Sequence, residues 1–519
     1  MKAIGYSYLN KYYNLLLPKL GVEVYQDPKA ETESTINYGA SKRRIIPGAR
    51  KIIDTPYDNM VIAIKYQGIR LHFFAAIFQK VDVAELTGFI KSKPNSVYNR
   101  VIWYLYEWIK GEALQIENLP SGNYIKLLDE KYYYTLKAGD RDKRTRVINN
   151  AIGTSEFCPT IRKTPDICKL EKVDVYKTAY EQMQNLGKGL SADVIGRSIN
   201  YLYTKETKSS TEIEKETLSN NKMARFLNAI KNAGLFELSK EKIVDIQKQI
   251  VEETKRTDDY REKEIYVGTT IRRLGGVDED VHYIGPLAKH VPSMMQGLLD
   301  THDRLMMDGE LPSLMHAALI SFGLVYIHPL NDGNGRTHRY LIHDVMKQRE
   351  PKHKFIIPIS AAILKNQIKY DSVLESISRP IMAMLDWELD HGNDNRAIIH
   401  NDIDYMYRYP DYTAHVIFTY DMMNAAIAND LLDEICLLLA FDLIKKAINE
   451  LSDIPNNQLD TMVSIIIQGG GTVSKRKRQL LLKQMNEEQL EYIEALAVET
   501  IGGIKKKLKI DVTKVMGVE

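Results

Sequence analysis

At 519 residues, 44% hydrophobic and 27% charged, the chain has an ordinary globular composition and is too long for a single core, so about three domains are expected. With 70 basic and 68 acidic side chains the formal net charge is only +2, which by itself points to no class of charged partner. Three cysteines without C-x-x-C spacing exclude a disulfide framework and a zinc site as readings, and no run nears the roughly 18 apolar residues of a membrane span, so a cytoplasmic protein without membrane insertion is expected.

Residues 1–165 mix short β-like runs, Met60 to Tyr66 and Leu71 to Ala76, with a helix-like segment from Asn99 to Ile109. An α+β domain of winged-helix-like type fits this alternation. Trp103, Tyr104, Tyr106 and Trp108 beside Arg100 and Lys110 have the make-up of a base-stacking surface, although aromatic residues at such density more often form core. The polar stretch from Ile161 to Val173, with Pro165, marks a domain junction. Beyond it, Tyr203 to Leu227 is polar but helix-favouring and reads as a solvated helix, in which Thr211 and Glu214 have the spacing of an N-terminal capping box.

Lys263 to Ile271 and Val281 to Ile284 read as two strands of a hairpin around a turn containing Gly275 and Gly276. From Val291 to Met306 apolar residues recur at steps of three and four, which predicts an amphipathic helix, and Pro312 opens a second one over Leu314 to Tyr326. Residues 396–519 read as a helical domain. Near its end, Asp460 to Gln468, three glycines and the run TVSKRKRQLLLKQ have the form of a helix-turn-helix, so DNA is a candidate partner beside the plainer reading of a solvated basic face.

The densest chemistry lies in YIHPLNDGNGRTHRY, Tyr326 to Tyr340. His328 supplies a base that titrates near neutrality, and Asp332 is a hard carboxylate suited to Mg²⁺. Gly333 and Gly335 flank Asn334 at a helix start, where backbone N–H groups make an anion seat. Arg336 and Arg339 stand three apart on that helix and suit phosphate oxygens. No Gly-Lys-Ser/Thr follows the glycines and helix rather than strand precedes them, so this is neither a P-loop nor a dinucleotide fingerprint. His316, His338 and His343 lack the spacing of a metal-binding helix and read as packing residues.

HPLNDGNGRTHR resembles the signature loop of the Fic family, His-any-Phe-any-Asp/Glu-Gly-Asn-Gly-Arg-any-any-Arg, with Leu330 in the usual Phe position. The resemblance implies a mainly α architecture: an all-helical core over 166–395 with the hairpin as a flap that holds a target segment, between the N-terminal α+β domain and the C-terminal helical domain. It also implies protein AMPylation with ATP as substrate and Mg²⁺ as cofactor. His328 would be the catalytic base, Asp332 the metal ligand, and Gly333, Asn334, Gly335, Arg336 and Arg339 the nucleotide-binding residues. Ser210 and Glu214 resemble the inhibitory motif of family members with an N-terminal inhibitory helix, Ser/Thr-x-x-x-Glu-Gly/Asn, except that Lys215 stands in the last position. Glu214 would then pair with Arg339 and restrain the enzyme. The target protein is not named by the sequence, and self-modification is one outlet. Other readings stay open: removal of AMP, transfer of another phosphate-containing group, or a DNA-binding regulator controlled by self-modification.

Overall fold

The computed structural model describes residues 1–38, 41–48, 54–186, 192–216, 219–273, 276–390, 396–452 and 454–515. They divide into two compact units, the first made of 1–168, 234–349 and 368–417, the second of 169–233, 350–367 and 418–519. The N-terminal segment shares a unit with the signature loop.

The first unit opens with a four-stranded sheet in the order Lys2–Ile4, Val22–Asp27, Ser41–Pro47, Ser34–Tyr38, whose central pair is parallel. Two stretches expected as strands are helices instead, Pro56–Gln67 and Leu71–Phe78. In the first, the Thr55 hydroxyl accepts from the Asp58 N–H at 3.0 Å and Pro56 pre-sets the first turn, a start signal that outweighs the β-like composition behind it. The second is apolar throughout and buried almost all round, so its periodicity cannot tell strand from helix.

Helix Val97–Lys110 covers the expected helical segment, and its aromatic residues face inward. Trp103 and Tyr106 are buried, and the Arg100 guanidinium donates to the carbonyls of Thr145 at 2.8 Å and Asn123 at 2.9 Å. The stacking-surface reading of this helix is therefore corrected: Trp103, Tyr106 and Arg100 are core.

The N-terminal segment is tied to the later part of its unit through backbone. The N–H groups of Cys158 and Thr160 donate to the carbonyls of Arg408 and Pro410, and Tyr412 donates back to Thr160. Around the loop stand helices Lys240–Ile250, Val291–Asp308, Ser313–Ile327 and Asn334–Arg349, of which Ser313–Ile327 is buried on nearly every side. Asp344, fully buried, receives the Gly234 N–H at 2.7 Å, the Lys242 ammonium at 2.8 Å, the Tyr340 hydroxyl at 3.0 Å and the Gln348 amide at 2.8 Å. This carboxylate fastens helix Lys240–Ile250 to the helix that follows the loop.

In the second unit, helix Ala192–Ile213 packs against Leu432–Leu451 and Ile359–Lys365. Tyr203, Glu206, Thr207, Ser210 and Thr211 are buried, and Glu206 accepts from the Ser360 N–H at 2.9 Å, so the solvated-helix reading is corrected: hydroxyls and a carboxylate form the packed face. The capping-box reading fails for a related reason. Thr211 lies in the last turn, its hydroxyl donating back to the Thr207 carbonyl at 3.0 Å, and the next helix starts at Asn220 behind Ser219. Toward the C-terminus, helices Asn456–Gln468, Lys475–Leu481 and Glu487–Val515 follow one another, the first two joined through the three glycines as expected. Among the described residues no helix is long and apolar enough to cross a membrane.

Removing the Asp344 carboxylate takes its counter-charge from the Lys242 ammonium, whose side chain is 10% exposed and which keeps a bond to the Phe236 carbonyl. Asp344→Ala is expected to lower stability by about 3–5 kcal/mol in chemical denaturation, and a loss near zero would contradict its role as a fastener.

Candidate active site

Helix Ser313–Ile327 ends at His328, which takes the left-handed conformation (φ 51°, ψ 55°) while its N–H donates to the Leu324 carbonyl at 2.8 Å. A side-chain-bearing residue in this region is uncommon and concentrates where function over-determines the backbone. The turn throws the chain off the buried helix and leaves the imidazole half-exposed. Its Nδ1 lies 3.0 Å from the Val325 carbonyl oxygen, which can only accept. Nδ1 therefore carries the hydrogen, and Nε2 is the nitrogen with the lone pair that can take a proton.

The loop beyond is closed by its own residues. Leu330 is fully buried, and the Asn334 side chain clasps its backbone, accepting from Leu330 N–H at 3.0 Å and donating to its carbonyl at 2.6 Å. Gly333 has φ 87°, and a Cβ there would lie 2.8 Å from Val251 Cγ1, so both conformation and space call for glycine. Helix Asn334–Arg349 starts at once, with Thr337 N–H bonded to the Gly333 carbonyl at 2.9 Å. Its first-turn N–H groups, Gly335 and Arg336 among them, have no carbonyl within the helix to bond and carry the positive end of its dipole.

Arg336 and Arg339 are each 1% exposed. Arg336 donates to the Ile250 carbonyl at 3.3 Å and lies 3.4 Å from an Asp332 oxygen. Asp332 also receives the Gly333 N–H at 2.6 Å, and the Lys255 ammonium sits 2.6 Å from its other oxygen. Burial raises the pKa of this carboxyl, but Lys255 and Arg336 outweigh it and hold the group below the ordinary carboxylate value. It is thus ionised at neutral pH and already draws a cation, a donor chemistry that fits Mg²⁺.

Two further residues shape the site. Gln247, fully buried, donates to the carbonyls of Lys255 at 2.9 Å and Asp332 at 3.4 Å, tying the preceding segment to the loop. Arg261 spreads its guanidinium over the carbonyls of His328 (2.8 Å), Lys263 (2.8 Å) and Pro286 (2.6 Å), while its own N–H donates to Pro329. It joins the base of the hairpin to the loop. Neither carries a motif, since a lone Gln in a helix and a lone Arg in the polar run DDYREKE look like surface residues.

The hairpin comprises antiparallel strands Tyr266–Arg273 and Gly276–Ile284 and forms a two-stranded sheet of its own. Gly276 opens the second strand, and Gly275 lies outside the described residues. Tyr283 anchors this strand by donating to the Tyr326 carbonyl, with its ring centroid 6.3 Å from that of His328. His316 and His302 meet at 3.1 Å and His338 is buried against Phe322, burial pushing its pKa down to about 3 and keeping it neutral; these rings are packing residues. Ser210 and Glu214 belong to the second unit, where Ser210 is buried and Lys215 has φ 56°. The basic run also lies there. Arg478 is held by Glu487 at 2.8 Å, by Glu491 at 3.6 Å and by Glu494, whereas Lys475, Arg476 and Lys477 are exposed.

A model of the Fic/DOC family matches residues 237–346, from just before helix Lys240–Ile250 through the loop to Met346. The chain carries a Fic/DOC domain. Such domains generally transfer phosphate-containing groups from nucleotides to proteins. Among solved structures, a Fic family protein from Desulfovibrio desulfuricans is similar at 17% identity over 62% of this chain and 88% of its own, with a TM-score of 0.37. A Fic-domain-containing signalling protein from Bacteroides thetaiotaomicron is similar at 16% identity over 49% of this chain and 97% of its own, with a TM-score of 0.31.

Gly333→Ala is expected to lower stability by more than about 1 kcal/mol in chemical denaturation, because the new Cβ must displace Val251 and the turn resists φ 87°. Unchanged stability would show that the turn accepts a side chain.

Proposed function

We propose that the Fic/DOC domain AMPylates a protein target: AMP passes from ATP to a Ser, Thr or Tyr hydroxyl and pyrophosphate leaves. The observation that carries this reading is the His328 turn, which presents a proton-accepting Nε2 beside a helix N-terminus backed by two buried guanidiniums. In the proposed step His328 Nε2 takes the hydroxyl proton. The oxygen attacks the α-phosphorus, forming the new P–O bond as the bond to the β-phosphate breaks. Gly333, the N–H groups of Asn334 and Gly335, and the Arg336 and Arg339 guanidiniums hold the phosphates, and Asn334 keeps the loop in shape through Leu330. These donors are in place before the reaction, so charge that shifts to the leaving group meets a fixed environment. Asp332 would hold Mg²⁺, which when bound supplies charge neutralisation to the phosphates. ATP and Mg²⁺ are cytoplasmic, the location we assign, and the chain itself is an available target alongside an unidentified partner.

We also read Glu214 as a restraint on this activity. The motif that Ser210 and Glu214 resemble ends in Gly or Asn, and Lys215 in that slot has φ 56°, the left-handed conformation that Gly and Asn adopt at least cost. The backbone the motif demands is thus kept despite the lysine.

His328→Ala is expected to lower AMP incorporation by about 10²–10⁴-fold while ATP affinity stays within about twofold, since the imidazole meets the hydroxyl and not the phosphates. Transfer of α-labelled AMP at the wild-type rate would remove His328 from the chemistry. For the restraint, Glu214→Gly is expected to raise initial rates of labelled AMP incorporation by up to about 10²-fold, the scale of a small misplacement of reacting atoms. Equal rates for wild type and variant would show that Glu214 only ends a helix.

A further inference from the structure

A groove of about 760 Å³ lies in the N-terminal segment, between the end of helix Pro56–Gln67, the start of helix Val97–Lys110, and the segments 126–133 and 162–164. Its size is within the roughly 300–1,000 Å³ range of ligand sites. Seven of its lining residues are Lys or Arg, and only Asp129 and Glu130 are acidic. That imbalance stands out against a chain whose net charge is close to zero.

Part of the charge is compensated locally. Lys126 pairs with Glu130 at 2.5 Å, and Arg44 pairs with Glu33. The floor is different. Arg70 and Arg162 reach the same oxygen of Asp411, at 3.0 and 2.7 Å, so two guanidiniums share one carboxylate and leave a formal positive charge. Arg70 Nε is buried with no hydrogen-bond partner among the described residues, so this guanidinium is not fully satisfied. Three exposed lysines, Lys65, Lys131 and Lys163, rise from separate segments around it. With Arg70 and Arg162 they are more cations than one phosphate needs. Aromatic faces accompany them. Tyr132 is 64% exposed and Tyr98 is half-buried, while Tyr66 lies under Arg44 and Lys65.

Cations and tyrosine rings that line one groove suit a phosphodiester backbone whose unpaired bases stack. We propose that this groove binds a short single-stranded nucleic acid, the phosphates on Arg70, Arg162, Lys131 and Lys163 and the bases against Tyr132 and Tyr98. Nothing in the Fic/DOC chemistry requires such a site. It would give the chain a second ligand, recognised by a surface separate from the signature loop.

The test uses the full-length protein and a fluorescein-labelled oligothymidylate of about ten nucleotides, followed by fluorescence anisotropy. Binding is expected at about 50 mM salt and should weaken roughly 50-fold by about 200 mM, the slope for about four phosphates on a single strand. Lys131→Glu combined with Lys163→Glu should weaken it at least about tenfold and flatten the salt slope. Tyr132→Ala should weaken it about tenfold with the slope retained, as expected for stacking. His328→Ala should bind as wild type does, which separates this site from the transfer reaction. No binding at about 50 mM salt would overturn the proposal, as would equal affinity for thymidine monophosphate. So would retention by the groove variants with loss on Lys475→Glu combined with Lys477→Glu.

Discussion

The left-handed turn at His328 is the constraint on which the rest of the active site depends. A helix buried on nearly all sides cannot present a side chain to a substrate, and the reversal of φ at its last residue is what brings the imidazole out. That conformation is costly for any residue with a Cβ, so it needs support from outside the helix. Arg261 provides it by holding the His328 and Pro329 carbonyls, and the Asn334 clasp on Leu330 holds the other end. The same bonds fix the hairpin base and the helix start, so the His328 imidazole, the helix N-terminus and the hairpin are positioned by one connected set of hydrogen bonds.

Electrostatics then decide what the site can hold. The Arg336 guanidinium at 3.4 Å and the Lys255 ammonium at 2.6 Å face the ionised Asp332 carboxylate, and the buried Arg339 and a helix N-terminus add positive charge, a balance that attracts an anion.

The local structure of the loop was readable from sequence because its residue types are each tied to a local need: an apolar anchor at Leu330, a positive φ at Gly333, a helix start at Asn334. Helix Val291–Asp308 followed from its apolar spacing and Ser313–Ile327 from the proline ahead of it, whereas Lys240–Ile250 was not foreseen. Met60 to Tyr66 misled because β-branched and aromatic composition concealed a capped helix, and Leu71 to Ala76 because a segment buried all round has no periodic face. The 203–213 stretch misled in the opposite sense, its Thr and Ser hydroxyls being packed and bonded to their own helix. Arg261, Gln247 and Asp344 were not legible at all, since their importance comes from carbonyls and amides brought close only by the fold.

The proposed chemistry turns on which phosphorus is attacked. Incubating the protein and its native lysate with ATP labelled at the α-phosphate, and in parallel with ATP labelled at the γ-phosphate, distinguishes the outcomes directly. AMP transfer predicts protein-bound label from the α-position only, with the γ-label leaving in pyrophosphate. Retention of the γ-label on protein, or α-label absent from protein while ATP is consumed, would contradict it.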